Sequence, residues 1–334
     1  MPDNPTNMES FAVTDLDDLS LKLINYLRGE LGSGSINYRE PLIRLTGGYD
    51  TLICRFHLSG VDEHLSKPLV LRVYPEKSHP DRAVKEGIVQ NAMADLGALV
   101  PAVYFTCPDK TVLGNAFIIM DYFEGDTLDQ LNLPLNQIVD ILGKAHAQLH
   151  GIDSEPIIKK ITESGLDRGS ITLDGRFEAF HTNVNLSYPW LKVAIEWLVE
   201  NRPKDPEILS VCHGDFHPMN LLFRDGNLQA ILDWPNFLIG DPAMDVAFTL
   251  VLIFPGKLLF PDLDMGQIKE LYLCAYRKTR PLDETNMAYY STFRGVRALM
   301  EGAEGQSVWG HPEIVQLLVD FIYETTNIKL KKPS

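Results

Sequence analysis

The pattern of this chain breaks once, at Asp121-Tyr-Phe-Glu-Gly125. Before the break, short runs of apolar and β-branched residues bounded by Gly and polar clusters predict strands at 39–45, 51–58, 69–74, 100–105 and 117–120. A helix is expected ahead of them at 15–31, where Leu16, Leu19, Leu23, Ile24 and Leu27 recur at three and four and Thr14 and Asp17 make a capping-box-like start. A second helix, 81–96, ends at Gly97 and falls between the third and fourth strands. After the break the periodicity is helical, with helices expected at 135–150, 188–200, 242–253, 265–279, 284–301 and 312–326. The expected fold class is therefore α+β: a small, strand-rich lobe, 1–121, and a larger, mainly helical lobe, 122–334. A cleft is expected where they join.

The 334 residues, 45% of them hydrophobic, suffice for two such cores. Cys54, Cys107, Cys212 and Cys274 form no CxxC pair, so neither a disulfide framework nor a cysteine zinc site is suggested. The amino terminus lacks the basic start of a secretory signal. The apolar run 246–254 falls short of the ~20 residues a membrane span needs. A cytoplasmic protein is expected, without a membrane partner. The net charge of −15, with no basic stripe, argues against nucleic acid and fits a small cationic partner or a plain acidic surface.

One stretch carries the chemistry, His213-Gly-Asp-Phe-His-Pro-Met-Asn220. It reads either as a metal site of His213, Asp215 and His217, suited to a metal-dependent hydrolase, or as a catalytic loop acting through Asp215 and Asn220. The residues that follow favour the loop. Asp225-Gly226 between two apolar runs is a hairpin signal, because a type I′ turn needs positive φ at both central positions. Such a hairpin sets Asp233 diagonally from Asn220, roughly 7–8 Å away by backbone. Two oxygen ligands completed by phosphates are what Mg²⁺ prefers. Asp215 would then be free to deprotonate a substrate hydroxyl, as phosphoryl transfer requires.

HGDFHPMN, the ILDW run ending at Asp233 and Trp234, and Gly240-Asp-Pro-Ala-Met-Asp245 together resemble the aminoglycoside phosphotransferase and choline-kinase-like families of the protein-kinase-like superfamily. The resemblance implies a two-lobed kinase-like fold, its small lobe a five-stranded antiparallel sheet and helix, with Asp215 as base and Asn220 and Asp233 as Mg²⁺ ligands. Glu86 would be the helix partner of the basic residue on the third strand. Asp121, Tyr122 and Phe123 would offer backbone to a purine, and the Gly47-Gly48 turn would lie over the phosphates. ATP or GTP would be the donor and a small hydroxylated, possibly cationic, molecule the acceptor. A protein kinase is disfavoured, because Gly214 stands where such enzymes have an arginine and only eleven residues separate Asp233 from Asp245. The strand-three base is Arg72 in place of the family lysine, on the same face as Val70 and Tyr74. This substitution keeps open a second reading, a catalytically weak or inactive nucleotide-binding protein. The basic end, KLKKPS, departs from the acidic terminus with which some aminoglycoside kinases grip amines, and so weakens an antibiotic-resistance reading.

Other candidates read as structural. His146 and His150 stand four apart on a helix but lack the glutamate of HExxH, and His150 suits a helix end. Asp241 before Pro242 suits a helix start, and Asp245 suits a brace for the catalytic loop. Tyr289, Tyr290, Phe293, Arg294 and Arg297 lie on one helix where these families form acceptor pockets, with core packing the expected role of its aromatics.

Overall fold

The computed structural model describes residues 15–45, 51–178, 180, 188–204, 206, 209–305 and 308–330; Thr14, the Gly47-Gly48 turn and residues 331–334 lie outside them. The chain packs into two compact units, Met1–Gly125 with Leu222–Pro235, and Asp126–Leu221 with Asn236–Ser334. The expected division placed everything after 121 in the second lobe. The stretch 222–235 instead packs with the first unit.

The first unit is built on a five-stranded sheet. Helix α1 (Leu16–Glu30) starts at Asp15, whose carboxylate accepts the amides of Asp17 and Asp18. It is followed by β1 (Asn37–Arg44), β2 (Leu52–Ser59), β3 (Pro68–Val73), helix α2 (Asp81–Ala94), β4 (Val103–Cys107) and β5 (Phe117–Asp121). The strands lie in the order β1-β2-β3-β5-β4, antiparallel throughout. A short helix between β4 and β5, Lys110–Leu113, was not expected from the sequence.

The central strand β3 is buried on both faces. Leu69, Leu71 and Val73 join Leu19, Leu23, Ile24 and Leu27 of α1 in one core cluster. The other face carries Val70, Arg72 and Tyr74, and there Tyr74 packs with Ala83 of α2, Val103 and Ile118. Each fully buried aliphatic side chain contributes about 1.5–3 kcal/mol, so both helices are held by packing more than by propensity.

The hairpin that joins this unit late in the sequence has strands Leu221–Arg224 and Asn227–Ile231. Asp225 and Gly226 take φ of 52° and 77°, the left-handed pair a type I′ turn requires. The Ile231 amide donates to Leu99 O at 2.7 Å, and the buried Trp234 indole donates to Ile231 O at 2.8 Å. The first of these contacts ties the hairpin to the rest of the first unit, and the second closes the hairpin's own end.

The second unit is helical. Its helices include Leu135–Leu149, Glu155–Glu163, Lys192–Glu200, Pro242–Leu252, Met265–Thr279, Met287–Ala303 and Pro312–Thr326. Leu135–Leu149 packs on Met265–Thr279 so closely at Gly143 that a Cβ there would lie 2.7 Å from Tyr272 O. Two three-residue strands, Ser210–Cys212 and Leu238–Gly240, pair antiparallel and frame the HGD stretch. Residues 243–251 are buried throughout. The run 242–259 is long and apolar enough to cross a membrane, but it is divided between two helices, and the first of them is buried as a core helix is.

Candidate active site

In the first unit the charged residues meet on the α2 face of β3. Arg72, 5% exposed, donates from Nη1 to Glu86 Oε1 at 2.9 Å and from Nη2 to Asp233 Oδ1 at 2.6 Å. Glu86, on α2, also accepts the Tyr74 hydroxyl at 2.6 Å and the Gln90 amide at 3.3 Å. Burial works against the charge on Arg72, but the carboxylates of Asp233 and Glu86 outweigh it and hold the guanidinium protonated. Burial raises the pKa of Glu86, and the arginine partly offsets this. Asp233 sits in the left-handed region at φ 68°, a conformation that costs a non-glycine residue of order 1–3 kcal/mol and is kept where surrounding contacts demand it.

Asp121 is already engaged. Its carboxylate takes the Tyr104 hydroxyl at 2.7 Å, Lys67 at 2.6 Å and the Ala102 amide at 3.1 Å, while its own amide donates to Ala102 O. Tyr122 and Phe123 follow directly, partly buried, with the Arg55 guanidinium 5.5 Å from the Tyr122 ring.

In the second unit everything converges on Asp245, which is wholly buried on the helix Pro242–Leu252. One carboxylate oxygen accepts the Gly214 amide at 2.8 Å, and the other accepts the His213 amide at 2.5 Å. That second oxygen also lies 3.0 Å from His146 Nε2 and 3.2 Å from His150 Nε2. The far nitrogens of the two rings meet the hydroxyls of Tyr272 and, at 2.7 Å, Tyr276. Burial opposes ionisation of Asp245, yet the two histidines hold its pKa well below the usual carboxylate range. Burial, reinforced by His150, pushes His146 down to about 3, so its ring is neutral.

The HGD stretch is thereby pinned at two successive amides. Gly214 turns it, at φ 76°, with its Cα so near Asn236 O that a side chain would press into that carbonyl. Asp215 projects from the pinned loop with about a quarter of its side chain exposed, 3.7 Å from His217 Nε2. Burial raises its pKa, but His217 and then Arg294 and His213 more than compensate, and the carboxylate stays ionised. Asn220 donates its side-chain amide to Asp215 O at 2.9 Å. His213 is fully buried, edge-on to Phe216. Among the described residues, the group of His, Cys, Asp and Glu ligand atoms within 4.8 Å of one another is His146, His150 and Asp245; His213, Asp215 and His217 do not form one.

Residues 42–282 match the model of the phosphotransferase enzyme family. The chain belongs to that family. Solved structures agree in fold. The putative aminoglycoside phosphotransferase of Ralstonia eutropha superposes with a TM-score of 0.59 at 18% identity, covering 93% of this chain and 99% of that one. For the ethanolamine kinase of Plasmodium vivax the values are 0.58, 13%, 92% and 87%. For an aminoglycoside phosphotransferase in ternary complex with ADP and hygromycin B they are 0.55, 18%, 92% and 100%. Curated relatives are acyl-CoA dehydrogenase family member 10 of Mus musculus, 26% identical over 86% of this chain, and member 11 of Homo sapiens, 24% identical over 78%. The chain spans only 28% and 32% of their lengths.

Asp215 and Asn220 lie on the pinned loop, and Arg72, Glu86 and Asp233 form one bonded group. Reading the sequence missed Tyr272 and Tyr276, which stand four apart on the helix facing His146 and His150; that shared spacing was the available signal. His150 does end its helix, as expected, but its ring turns inward to Asp245. Asp241 caps the next helix through the Ala243 amide and takes the Tyr290 hydroxyl at 3.0 Å. Phe293 packs edge-on to Phe180 and Phe248 in the core.

Proposed function

We propose that this chain moves the γ-phosphoryl group of ATP or GTP to a hydroxyl of a small molecule, in the cytoplasm. The observation that carries the reading is Asp215: an ionised, partly open carboxylate on a loop held at two amides by a buried one. Asp215 takes the proton of the acceptor hydroxyl as the oxygen attacks phosphorus. Asn220 and Asp233 are the residues proposed to hold Mg²⁺. Their donor set fits, since Asn220 spends its amide nitrogen on Asp215 O and keeps the oxygen, while Arg72 takes Oδ1 of Asp233 and leaves Oδ2. When bound, the ion neutralises phosphate charge. Arg72, oriented by Glu86, faces the α- and β-phosphates. With the amide and carboxylate of Asp121 committed, Tyr122 and Phe123 are the stronger purine contacts.

The bond from Arg72 to Asp233 favours one rival, a nucleotide-binding protein without turnover. Calorimetric titration with Mg·ATP and Mg·GTP, using wild type, Asp233→Ala and Asp215→Asn, separates the two. A transferase binds nucleotide in a metal- and Asp233-dependent way and releases ADP or GDP with an acceptor only while Asp215 is intact. Binding that needs Asp233, with no acceptor able to drive release, selects the rival. No binding of either nucleotide sinks both.

A further inference from the structure

Three arginines of the second unit gather near Asp215, whose carboxylate favours their charge without forming an ion pair with any of them among the described residues. Among the described residues one carboxylate, Glu301, pairs with them, and it serves two: Arg294 at 3.1 Å and Arg297 at 3.4 Å. Arg176 gives its Nη2 to the carbonyls of Asn236 at 2.6 Å and Phe237 at 3.3 Å. Its Nη1 is buried without an acceptor among the described residues, 3.0 Å from where a Cβ of Gly214 would stand, beside the proposed base. Arg294 is 5% exposed, rests 4.9 Å from the Trp309 ring and also has a buried Nη1 without an acceptor among the described residues. Arg297 keeps about a quarter of its side chain open.

Guanidinium N–H groups buried without an acceptor are costly, and like charges add to the cost. Burial, and then Arg297, push the pKa of Arg176 down to about 9. Burial also lowers Arg297, against the pull of Glu301. A core that needed only packing would place apolar side chains here. Planar, forked donors with spare N–H groups are what oxyanions bind.

We propose that the acceptor phosphorylated at Asp215 carries an oxyanion, a carboxylate or a phosphate, bound by Arg297, Arg294 and Arg176. This rests on the phosphotransferase reading above, and it departs from the cationic acceptor that the acidity of the chain suggested. It makes the arginine helix face the specificity element and sets this chain apart from kinases whose acceptors are amines.

The test uses the full chain. Thermal unfolding is followed in inorganic phosphate, in acetate and in chloride at matched ionic strength, for wild type, Arg297→Gln and Arg297→Lys. Separately, hydroxy acids, phosphorylated alcohols and amino alcohols are offered with Mg·ATP and ADP release is measured. The proposal expects phosphate or acetate, whichever matches the natural group, to raise the midpoint of wild type. Arg297→Gln loses that shift, and Arg297→Lys recovers part of it. An anionic acceptor should show a KM about tenfold higher or more in Arg297→Gln, with Mg·ATP affinity held. An anion shift that ignores residue 297, or turnover of amino alcohols alone with an unchanged KM in the variant, overturns it. A shift lost in Arg297→Gln while no acceptor of any class drives ADP release keeps the anion subsite and removes the transfer reaction instead.

Discussion

Arg72 and Asp233 stand 161 residues apart in the chain and are joined by a 2.6 Å charge-assisted hydrogen bond. The same guanidinium holds Glu86, so one side chain ties strand β3 to α2 and to the end of the late hairpin. The fork makes this arrangement possible, since a lysine ammonium is a point charge and does not present two fixed donors to two carboxylates.

Arg72→Met should therefore be severe. Glu86, 2% exposed, would be left charged and unpaired, at a cost of about 3–5 kcal/mol read by urea unfolding. A double variant, Arg72→Met with Glu86→Leu, should regain most of it. Arg72→Lys should keep the Glu86 pair and release Asp233, seen as nucleotide binding at lower Mg²⁺ concentration. An unchanged metal requirement would show that Arg72 does not compete for that carboxylate.

Asp215→Asn should slow transfer by roughly 10²–10⁴-fold while leaving calorimetric affinity for Mg·ATP unchanged. Nearly full turnover in this variant would mean that the proton leaves by another route.

Gly214→Ala should cost about 1–3 kcal/mol, because residue 214 needs φ 76° and its Cβ would be driven into Asn236 O. Turnover should fall as well, since Asp215 moves with the loop. A variant as stable and active as wild type would remove the claim that this turn sets the base.

Stability should depend on pH through Asp245 and His146. Both have folded-state pKa values below their unfolded ones, so each contributes stability that is present above its unfolded pKa and lost on acidification. For His146 the window runs from about 6.5 down to about 3, at ~1.4 kcal/mol per pH unit, and Asp245 adds its loss below about 4. Urea midpoints measured from pH 7 to pH 4 should fall in wild type. They should fall less steeply above pH 5 in His146→Phe.

Much of this was legible in the sequence, for local reasons. Alternation in the run Leu69 to Tyr74 put Arg72 on the face where Tyr74 and Glu86 meet it, and Asp225-Gly226 marked its hairpin. What stayed hidden was non-local. Nothing in the run 222–235 says that it will bond to Leu99 and pack with residues far behind it. The strands Ser210–Cys212 and Leu238–Gly240 are too short to show alternation at all. His146 and His150 were read as packing and capping residues, and packed they are. Their shared acceptor, Asp245, and their tyrosine partners come from other helices, which only the assembled unit brings together.

Asp245 binds, through one carboxylate, the loop that carries Asp215 and the helix that carries both histidines. The loop is therefore set only in molecules whose helical core has closed. A nascent or partly opened chain holds every residue the reaction is proposed to use but not their arrangement, and would leave nucleotide unspent. Competence for the proposed chemistry is thereby made conditional on the completion of folding.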